Sequence, residues 1–312
     1  MTQPISGIFP VVLTPFDTAN RIDWEGYERL LDWYLVMGVQ GLFAVCQSSE
    51  MQHLSLEERR DLARFTVEHV RGRVPVVASG HISDTVADQK TELRAVAGTG
   101  IDAVVLVTNR LAAPDDPEGT LVARTQDLMD ALPSETVFGL YECPAPYRRL
   151  LTDAELRWCA ESGRFAFLKD VACDLDVVTR RIALTRGTPL AINNANAATA
   201  WPAMQAGGAG FSGVMNNFHP DLYRWLFEHG ANHPDLAAEL DIFLVLSAMC
   251  EAFGYPKLAK RFHVHLGTFA CDHSRAVPYD LPERHWAIDD ILDRIVAGAE
   301  SFRTRIAALP GA

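Results

Sequence analysis

The stretch Phe165-Ala-Phe-Leu-Lys169 is an apolar run that ends in a lysine. Consecutive apolar residues, without polar alternation, are typical of a parallel strand that is covered on both faces. More short apolar runs of this type occur along the chain, at residues 8–13, 41–45, 74–79, 103–107, 137–141, 190–192 and 210–214. Together with the first stretch, they predict eight buried strands.

Amphipathic stretches separate the predicted strands. The second of them opens with Ser55-Leu-Glu-Glu58, where Ser55 and Glu58 can cap each other's backbone amides. Helices are predicted over residues 24–37, 56–70, 85–97, 118–131, 153–162, 175–185, 198–206 and 220–229. This strict alternation favours an α/β fold, a closed (β/α)8 TIM barrel. An open doubly wound sheet is the alternative, but no GxGxxG motif follows the first strand.

The alternation ends near residue 231. Three further helical stretches follow, at residues 236–253, 256–266 and 286–308. We therefore expect a barrel over residues 1–231 and a C-terminal helical extension over residues 232–312. The extension is expected to pack on the barrel or on a neighbouring subunit.

Composition limits the classes of partner. The net charge of −12 repels nucleic acid and anionic lipid, although a local basic pocket for an anionic substrate is still compatible with it. The first residues lack the features of a secretion signal, and no apolar run reaches about 18 residues. The six cysteines show no CxxC spacing, which fits reduced thiols. We expect a cytoplasmic protein that binds a small molecule, without nucleic-acid or membrane partners.

Barrel enzymes carry their active sites at the carboxyl ends of the strands. Lys169 ends a strand there, and apolar surroundings would lower its pKa and supply a free amine nucleophile. Tyr141 ends the preceding strand, where its hydroxyl could transfer protons. The alternatives are that Lys169 merely pairs with Asp170 and that Tyr141 is a wall residue. Other candidates for substrate contacts at strand ends are Gln47, Ser48, Ser49, Arg110, Asn194 and Ser212.

Several longer motifs carry a family resemblance. They are Gly7-Ile-Phe-Pro-Val-Val-Leu-Thr-Pro-Phe16, the segment from Gly41 to Glu50 with Leu54-Ser-Leu-Glu-Glu-Arg59, Tyr141-Glu-Cys-Pro144, Leu168-Lys-Asp170, Gly207-Gly208 with the segment from Gly213 to Asn217, and Tyr255-Pro-Lys257. The chain resembles the dihydrodipicolinate synthase / N-acetylneuraminate lyase superfamily of class I Schiff-base lyases. It does so in these motifs, in their order along the chain, and in the interval from the tyrosine to the lysine. The resemblance covers nearly the whole length.

The resemblance implies roles for four residues. Lys169 would form an imine with the 2-oxo carbon of the substrate, and Tyr141 would be the acid/base residue. The turn at Gln47 and Ser48 would bind the substrate carboxylate through backbone amides and a hydroxyl. Because a protonated imine is an electron sink, it can serve aldol cleavage, aldol addition and dehydration. The resemblance also implies a homo-oligomer, a tetramer or dimer, that needs no cofactor.

The chain departs from the family at its specificity positions, while the residues for imine formation are kept. The loop Cys46-Gln-Ser-Ser-Glu50 replaces both glycines of Gly-Thr-Thr-Gly-Glu, so the turn must use other backbone angles or tolerate strain. Pro146 stands where the synthase has an arginine, and the loop after the fourth strand has no tyrosine. Arg110 in that loop is a candidate for binding an anionic substrate. We therefore expect aldol cleavage or dehydration of a 2-keto-3-deoxy sugar acid rather than dihydrodipicolinate synthesis.

Two other classes of function compete with this interpretation. A metal-dependent aldolase needs converging ligands, but His263 and His265 are two apart on a predicted helix and point away from each other. We therefore expect no metal. The second alternative is a barrel that retains its lysine but has lost turnover and serves as a sugar-acid sensor or binding protein. The altered loop from Cys46 to Glu50 and the missing tyrosines favour it.

Overall fold

The computed structural model describes residues 2–310. Met1 of the predicted barrel and residues 311–312 of the predicted extension lie outside the described residues. Within residues 2–310, the central sheet has eight strands, and every pairing between them is parallel. They are β1 (Gly7–Ile8), β2 (Leu42–Phe43), β3 (Val76–Ala78), β4 (Ala103–Val107), β5 (Phe138–Tyr141), β6 (Phe165–Asp170), β7 (Ala191–Asn194) and β8 (Gly210–Phe211).

The strands form a closed barrel. Neighbours along the chain pair from β2 to β8, and β8 pairs with β1. The circle closes between the first two strand segments, where Val11 forms a parallel bridge with Phe43. The Phe43 amide donates to the carbonyl of Pro10 at 2.9 Å. Pro10 itself cannot donate, which accounts for the short first strand. The predicted (β/α)8 barrel is confirmed.

Helices alternate with these strands, and after β8, up to residue 310, further helices follow without strands between them. Within the described residues, they are α1 (Trp24–Val36), α2 (Leu56–Val70), α3 (Val86–Ala97), α4 (Thr108–Leu111), α5 (Thr120–Met129), α6 (Asp153–Glu161), α7 (Leu175–Thr185), α8 (Ala200–Gln205), α9 (Pro220–His229), α10 (Pro234–Ala248), α11 (Lys257–His265), α12 (Leu281–Arg284) and α13 (Ile288–Ala307). The predicted capping box opens α2, because Ser55 accepts from the Glu58 amide and Glu58 accepts from the Ser55 amide.

Aromatic side chains fill the barrel interior below the carboxyl ends of the strands. Phe167 lies two residues before Lys169 on β6, so both side chains leave the same face of the strand. The Phe167 ring contacts those of Phe9 and Phe43, with centroids 5.4 and 5.8 Å apart. All three phenylalanines are fully buried. The barrel is therefore a packed core that closes beneath Lys169.

The C-terminal helices cover one side of this barrel. Their apolar residues, among them Leu240 on α10 and Phe302 on α13, belong to the same continuous cluster as Phe9 and Phe43. Arg303 on α13 binds both carboxylate oxygens of Asp221 on α9, at 2.6 and 2.9 Å. The helical extension thus packs on the barrel. Within residues 2–310, no helix has the length and apolarity that a membrane span requires.

Candidate active site

Lys169 and Tyr141 lie side by side at the carboxyl end of the barrel. They are register partners on β6 and β5, and Lys169 Nζ lies 4.8 Å from the centroid of the Tyr141 ring. The two side chains are 4% and 3% exposed. Burial lowers the pKa of the Lys169 amine and raises the pKa of the Tyr141 hydroxyl well above its ordinary value. This places a readily deprotonated amine beside a protonated phenol.

A cavity of about 160 Å³ opens at Lys169. Its polar lining comes from both halves of the fold: Gln47, Ser48, Tyr141, Lys169 and Asn196 from the barrel, and Glu251 and Tyr255 from the C-terminal extension. Apolar residues such as Val171 and Val214 form the rest of the wall. Four residues predicted from the sequence, namely Lys169, Tyr141, Gln47 and Ser48, are thereby brought together.

The turn from Gln47 to Ser49 faces this cavity as a single turn of 3₁₀ helix. The first amides of such a turn have no partner inside it, so those of Gln47 and Ser48 are available to a ligand. The Gln47 side chain accepts from the thiol of Cys143 at 3.3 Å, which fixes its carbonyl end. The turn therefore offers amide donors and the Ser48 hydroxyl within a few ångströms of one another.

Neither of the two positions that are glycine in the family takes the left-handed conformation here. Cys46 has extended backbone angles, with φ −156° and ψ −168°, and Ser49 is not in the left-handed region. Glu50 takes the left-handed conformation instead, with φ 61° and ψ 37°. Ser49 is fully buried, and its hydroxyl lies within 2.7 Å of the Val12 carbonyl. It therefore holds the turn on the barrel and does not line the cavity.

A buried ion pair fixes the far end of this turn. Glu50 and Lys260 pair with both side chains fully buried. Lys260 also donates to the His273 carbonyl at 2.9 Å, and Glu50 accepts from the Ser274 hydroxyl at 3.0 Å and from the Ala276 amide at 2.6 Å. The cavity turn is thus anchored to the C-terminal extension.

A second buried ion network lies behind Lys169 and Tyr141. Glu142 follows Tyr141, Asp170 follows Lys169, and both carboxylates bind Arg181 of α7. Burial alone would lower the pKa of Arg181, but the charges of Glu142 and Asp170 raise it above the ordinary value. Asp170 is therefore directed to Arg181 rather than to Lys169. The network fixes the ends of β5 and β6 relative to each other.

The loop after β4 supports the loop after β5. Asn109 Nδ2 lies 2.8 Å from the Cys143 carbonyl and 2.7 Å from the Tyr147 carbonyl, while the Tyr147 hydroxyl donates back to the Asn109 carbonyl at 2.9 Å. The Thr108 hydroxyl donates to the Arg149 carbonyl at 2.6 Å. Side chains of the tyrosine-free loop are therefore used to shape the segment that follows Tyr141.

Three further predicted contact residues lie outside the lining of the cavity. Arg110 pairs with Asp84 at 2.6 Å, because the loops after β3 and β4 are neighbours in the barrel. Asn194 is buried and binds the backbone of Asn196, accepting from its amide at 3.1 Å and donating to its carbonyl at 2.8 Å. The Ser212 hydroxyl donates to the Phe9 carbonyl at 3.0 Å and joins the barrel strands. Asn194 thus positions a lining residue, Asn196.

Comparison with known proteins agrees with this architecture. The model of the dihydrodipicolinate synthetase family matches residues 4–246. The chain belongs to the dihydrodipicolinate synthetase family. The 4-hydroxy-tetrahydrodipicolinate synthase of Bacillus subtilis (strain 168) is 28% identical over 251 residues, which cover 80% of this chain and 84% of that protein. The enzyme of the same name from Oenococcus oeni is 26% identical over 258 residues, with 81% and 85% covered. The family resemblance seen in the sequence is confirmed.

Several solved structures share the fold. Dihydrodipicolinate synthase DapA-2 from Bacillus anthracis superimposes with a TM-score of 0.84 at 19% identity, covering 93% of this chain and 98% of that one. The prophage protein YagE from E. coli K12, crystallised with pyruvate, gives 0.82 at 23% identity, with 93% and 98% covered. CdNal from Clostridium difficile, crystallised with mannosamine, gives 0.83 at 17% identity, with 94% and 100% covered.

Sequence reasoning missed several residues at this family site. Glu251 lies in the extension, where the rule that active sites lie at strand ends gives no signal. Tyr255 belongs to a motif that carried the family resemblance, but that motif did not indicate a role for it. Its hydroxyl accepts from the Asn217 side chain at 2.9 Å. Cys143 lies two residues after Tyr141. Among residues 2–310, no three His, Cys, Asp or Glu side chains are grouped so that they could hold a metal ion.

Proposed function

We propose that the protein is a class I lyase that forms a Schiff base between Lys169 and a 2-oxo acid. The observation that carries the proposal is the placement of Lys169: buried at the carboxyl end of the barrel, with its neighbour Asp170 bound to Arg181. An amine in that environment loses its proton more readily than a surface lysine, and only the free amine attacks a carbonyl.

The first chemical steps require one nucleophile and one proton carrier. Lys169 Nζ attacks the 2-oxo carbon, a C–N bond forms, and the carbonyl oxygen becomes a hydroxyl. Tyr141, which keeps its proton at neutral pH, protonates this hydroxyl so that it leaves as water and a protonated imine remains. The Tyr141 phenolate then takes the proton of the C4 hydroxyl, the bond between carbons 3 and 4 breaks, and an aldehyde is released. The iminium accepts the electron pair of the broken bond and becomes an enamine.

The substrate carboxylate would bind at the turn opposite Lys169. The amides of Gln47 and Ser48, together with the Ser48 hydroxyl, supply donors of the kind that oxyanions accept. Ser49, Asn194 and Ser212 act in this proposal by holding the backbone in place rather than by touching substrate. No metal or other cofactor is needed, because the lysine itself provides the electron sink.

The reaction is proposed to be cleavage or dehydration of a 2-keto-3-deoxy sugar acid. Pro146 occupies the position at which the synthase has an arginine. The next two arginines along the chain, Arg148 and Arg149, bind other groups of the protein. Arg148 donates to the Val171 and Ala172 carbonyls, each at 3.1 Å. Arg149 binds both oxygens of Glu155, at 2.5 and 2.7 Å. A second substrate carboxylate therefore has no ready partner there.

A sugar-acid binding protein without turnover is the second candidate. The observation that favours it is the loop after β4, which has no tyrosine to extend a proton relay. Its Thr108 and Asn109 side chains are committed to backbone carbonyls of the neighbouring loop. Such a protein would still form the imine but would neither cleave the bond between carbons 3 and 4 nor eliminate a hydroxyl group from the sugar chain.

Borohydride trapping tests the proposal directly. The protein is incubated with pyruvate, reduced, and analysed by mass spectrometry of the intact chain and of the peptide that contains Lys169. We expect a reduced adduct on Lys169 that is absent in Lys169→Ala. Lys90→Ala is the matched control, because Lys90 pairs with Asp127 on the surface and its loss should leave the adduct unchanged. No adduct with pyruvate or any 2-keto-3-deoxy sugar acid would contradict the proposal.

Assembly and location are also part of the proposal. We propose a cytoplasmic homo-oligomer, a tetramer or dimer, because exposed apolar residues remain on the C-terminal helices of the isolated chain. Ile242, Leu246 and Met249 are 60%, 61% and 70% exposed. One structural relative is described as a monomeric dihydrodipicolinate synthase variant, so sedimentation velocity is needed to distinguish a monomer from a dimer or tetramer.

A further inference from the structure

A second cavity of about 250 Å³ continues from the one at Lys169. The two cavities share four lining residues: Ala195, Asn196, Val214 and Glu251. A 2-oxo acid bound at Lys169 could therefore extend the rest of its chain into the second cavity. Under the proposed function, this rest of the chain is the part that leaves as an aldehyde.

Among residues 2–310, Glu251 is the sole charged side chain that lines this second cavity. It sits on a turn of 3₁₀ helix at Met249–Phe253, directly after α10. Its carboxylate takes part in none of the ion pairs or side-chain hydrogen bonds of residues 2–310. The side chain is exposed to solvent at the cavity mouth, and the burial of part of it raises the pKa of the carboxyl group. The carboxylate is thus an unused acceptor at the junction of the two cavities.

Asn196 lines the same two cavities as Glu251 and supplies a donor. Its side-chain oxygen is occupied, because it accepts from the Ala198 amide at 2.9 Å. The amide nitrogen makes no hydrogen bond within the described part of the chain, so its two N–H groups are free for a ligand. A carboxylate and an amide N–H side by side can accept from and donate to the same hydroxyl group.

The arginines of the neighbouring loops do not balance the charge of Glu251. Arg110 is paired with Asp84, Arg149 is paired with Glu155, and neither lines either cavity. The cation that acts on Glu251 is Lys169, which the proposed imine occupies. A substrate with a second carboxylate or a phosphate at its far end would therefore face the Glu251 carboxylate with no further cation among the lining residues of the two cavities. Like charges placed together are a common basis of discrimination against a competing ligand.

We infer that Glu251 is a specificity-determining residue, which binds hydroxyl groups of an uncharged substrate tail and excludes tails that end in an anionic group. The inference rests on the proposed function, because it assumes that a 2-oxo acid is bound at Lys169. Asn196 contributes the hydrogen-bond donor of the same subsite. Neither residue exchanges atoms or protons with the substrate during formation of the imine. Because the Glu251 carboxylate raises the pKa of Lys169, the test compares the ratio of the rates for two substrates.

The test uses two 2-keto-3-deoxy acids of equal length and configuration. One ends in a hydroxymethyl group and the other in a carboxylate. Each is incubated with the protein at limiting concentration, and the rate of borohydride-trapped adduct on Lys169 is measured. The wild-type protein should trap the hydroxymethyl acid at least tenfold faster. Glu251→Gln should reduce this preference at least fivefold, and Glu251→Arg should reverse it.

The matched control is Glu239→Gln. Glu239 lies on α10 and pairs with Arg305 on the surface, so its substitution removes the same charge without touching either cavity. It should leave the preference of the wild-type protein unchanged. An effect as large as that of Glu251→Gln would show that net charge, and not the subsite, sets the preference, and would overturn the inference.

Two failures can be distinguished. If pyruvate gives no adduct on Lys169, the proposed function fails, and the inference fails with it. If pyruvate is trapped but the dicarboxylic acid reacts as fast as the hydroxymethyl acid, the proposed function stands and the role of Glu251 is wrong. The same conclusion follows if pyruvate is trapped and neither longer acid is trapped or competes with it.

Discussion

Lys169 faces the ring of Tyr141 from the neighbouring strand, with the amine nitrogen 4.8 Å from the ring centroid. The pairing of β5 with β6 sets this distance, because Tyr141 and Lys169 are register partners at the ends of the two strands. A slip of one residue would turn either side chain to the other face of its strand. The strand register therefore brings the proposed proton carrier, Tyr141, to the proposed nucleophile, Lys169.

Tyr141→Phe should slow imine formation without abolishing it. The phenol supplies the proton that allows the carbinolamine hydroxyl to leave as water, and loss of a positioned acid typically costs about 10²–10⁴-fold in rate. The measurement is the rate of borohydride-trapped pyruvate adduct on Lys169 under single-turnover conditions. The ring contact with Phe43 is kept in the variant, so folding should be unaffected.

Tyr255→Phe provides the control for this substitution. Tyr255 lines the same cavity, and its hydroxyl binds Asn217, but it lies on the extension rather than beside Lys169 in the sheet. We expect a much smaller loss of trapping rate than for Tyr141→Phe. Equal losses in the two variants would mean that the hydroxyl of Tyr141 has no special role in proton transfer.

Imine formation should depend on pH with a midpoint below the ordinary lysine value of 10.5. Below its pKa, Lys169 is protonated and cannot attack, so the rate of trapping rises with pH through that pKa and then levels off. Burial lowers the pKa, whereas the negative charge of Glu251 raises it. The trapping rate is measured with pyruvate from about pH 6 to about pH 11.5, so that a midpoint at the ordinary value of 10.5 would also be seen.

Glu251→Gln sharpens this test. Removing the carboxylate removes an interaction that favours the protonated amine, so the midpoint should move to still lower pH. Glu239→Gln, on the surface of α10, should leave it in place. A wild-type midpoint at or above 10.5 would contradict the assignment of Lys169 as a buried, readily deprotonated nucleophile.

The alternation of strands and helices was readable from sequence because each strand is buried on both faces. The run that ends at Lys169 shows this most clearly, since each preceding residue is apolar and buried. The predicted strand at residues 8–13 is less regular, because Pro10 interrupts the hydrogen-bond ladder. Helix α4 escaped prediction since its four residues, Thr108–Leu111, are too few to show a helical period.

The site was only partly predictable for a physical reason. Lys169 and Tyr141 follow from strand ends, which are local features of the chain. Arg110, in the loop after β4, pairs with Asp84 in the loop after β3. A single sequence does not reveal that pairing. Glu251 reaches the cavity from the helical extension, so its position depends on how two distant parts of the chain pack.

Arg181→Ala should destabilise the protein severely. The variant leaves Glu142 and Asp170 buried without a cation, and breaking a buried pair in this way typically costs about 3–5 kcal/mol. The free energy of unfolding is measured by urea denaturation. Arg180→Ala is the matched control from the same helix, because Arg180 binds Asp153 at the surface and its loss should cost less than about 1 kcal/mol. Similar losses in both variants would contradict a structural role for the network.

The ion pair of Glu50 and Lys260 should show strong coupling with an unequal cost for its two halves. Lys260→Met strands the Glu50 carboxylate in the core and should lower the free energy of unfolding by about 3–5 kcal/mol. Glu50→Gln should cost less, because burial already lowers the pKa of Lys260 to about 8, and the unpaired lysine can lose its proton.

The pH dependence and the double variant complete this test. In Glu50→Gln, the pKa of Lys260 lies further below its unfolded value of 10.5, so the unfolded chain binds more protons between the two values. The stability of this variant should therefore rise with pH up to about 10.5. The double variant Glu50→Gln/Lys260→Met should recover at least about 1 kcal/mol relative to the sum of the single losses. Additive losses would show that the two side chains do not act as a pair, and that the cavity turn is held by its hydrogen bonds alone.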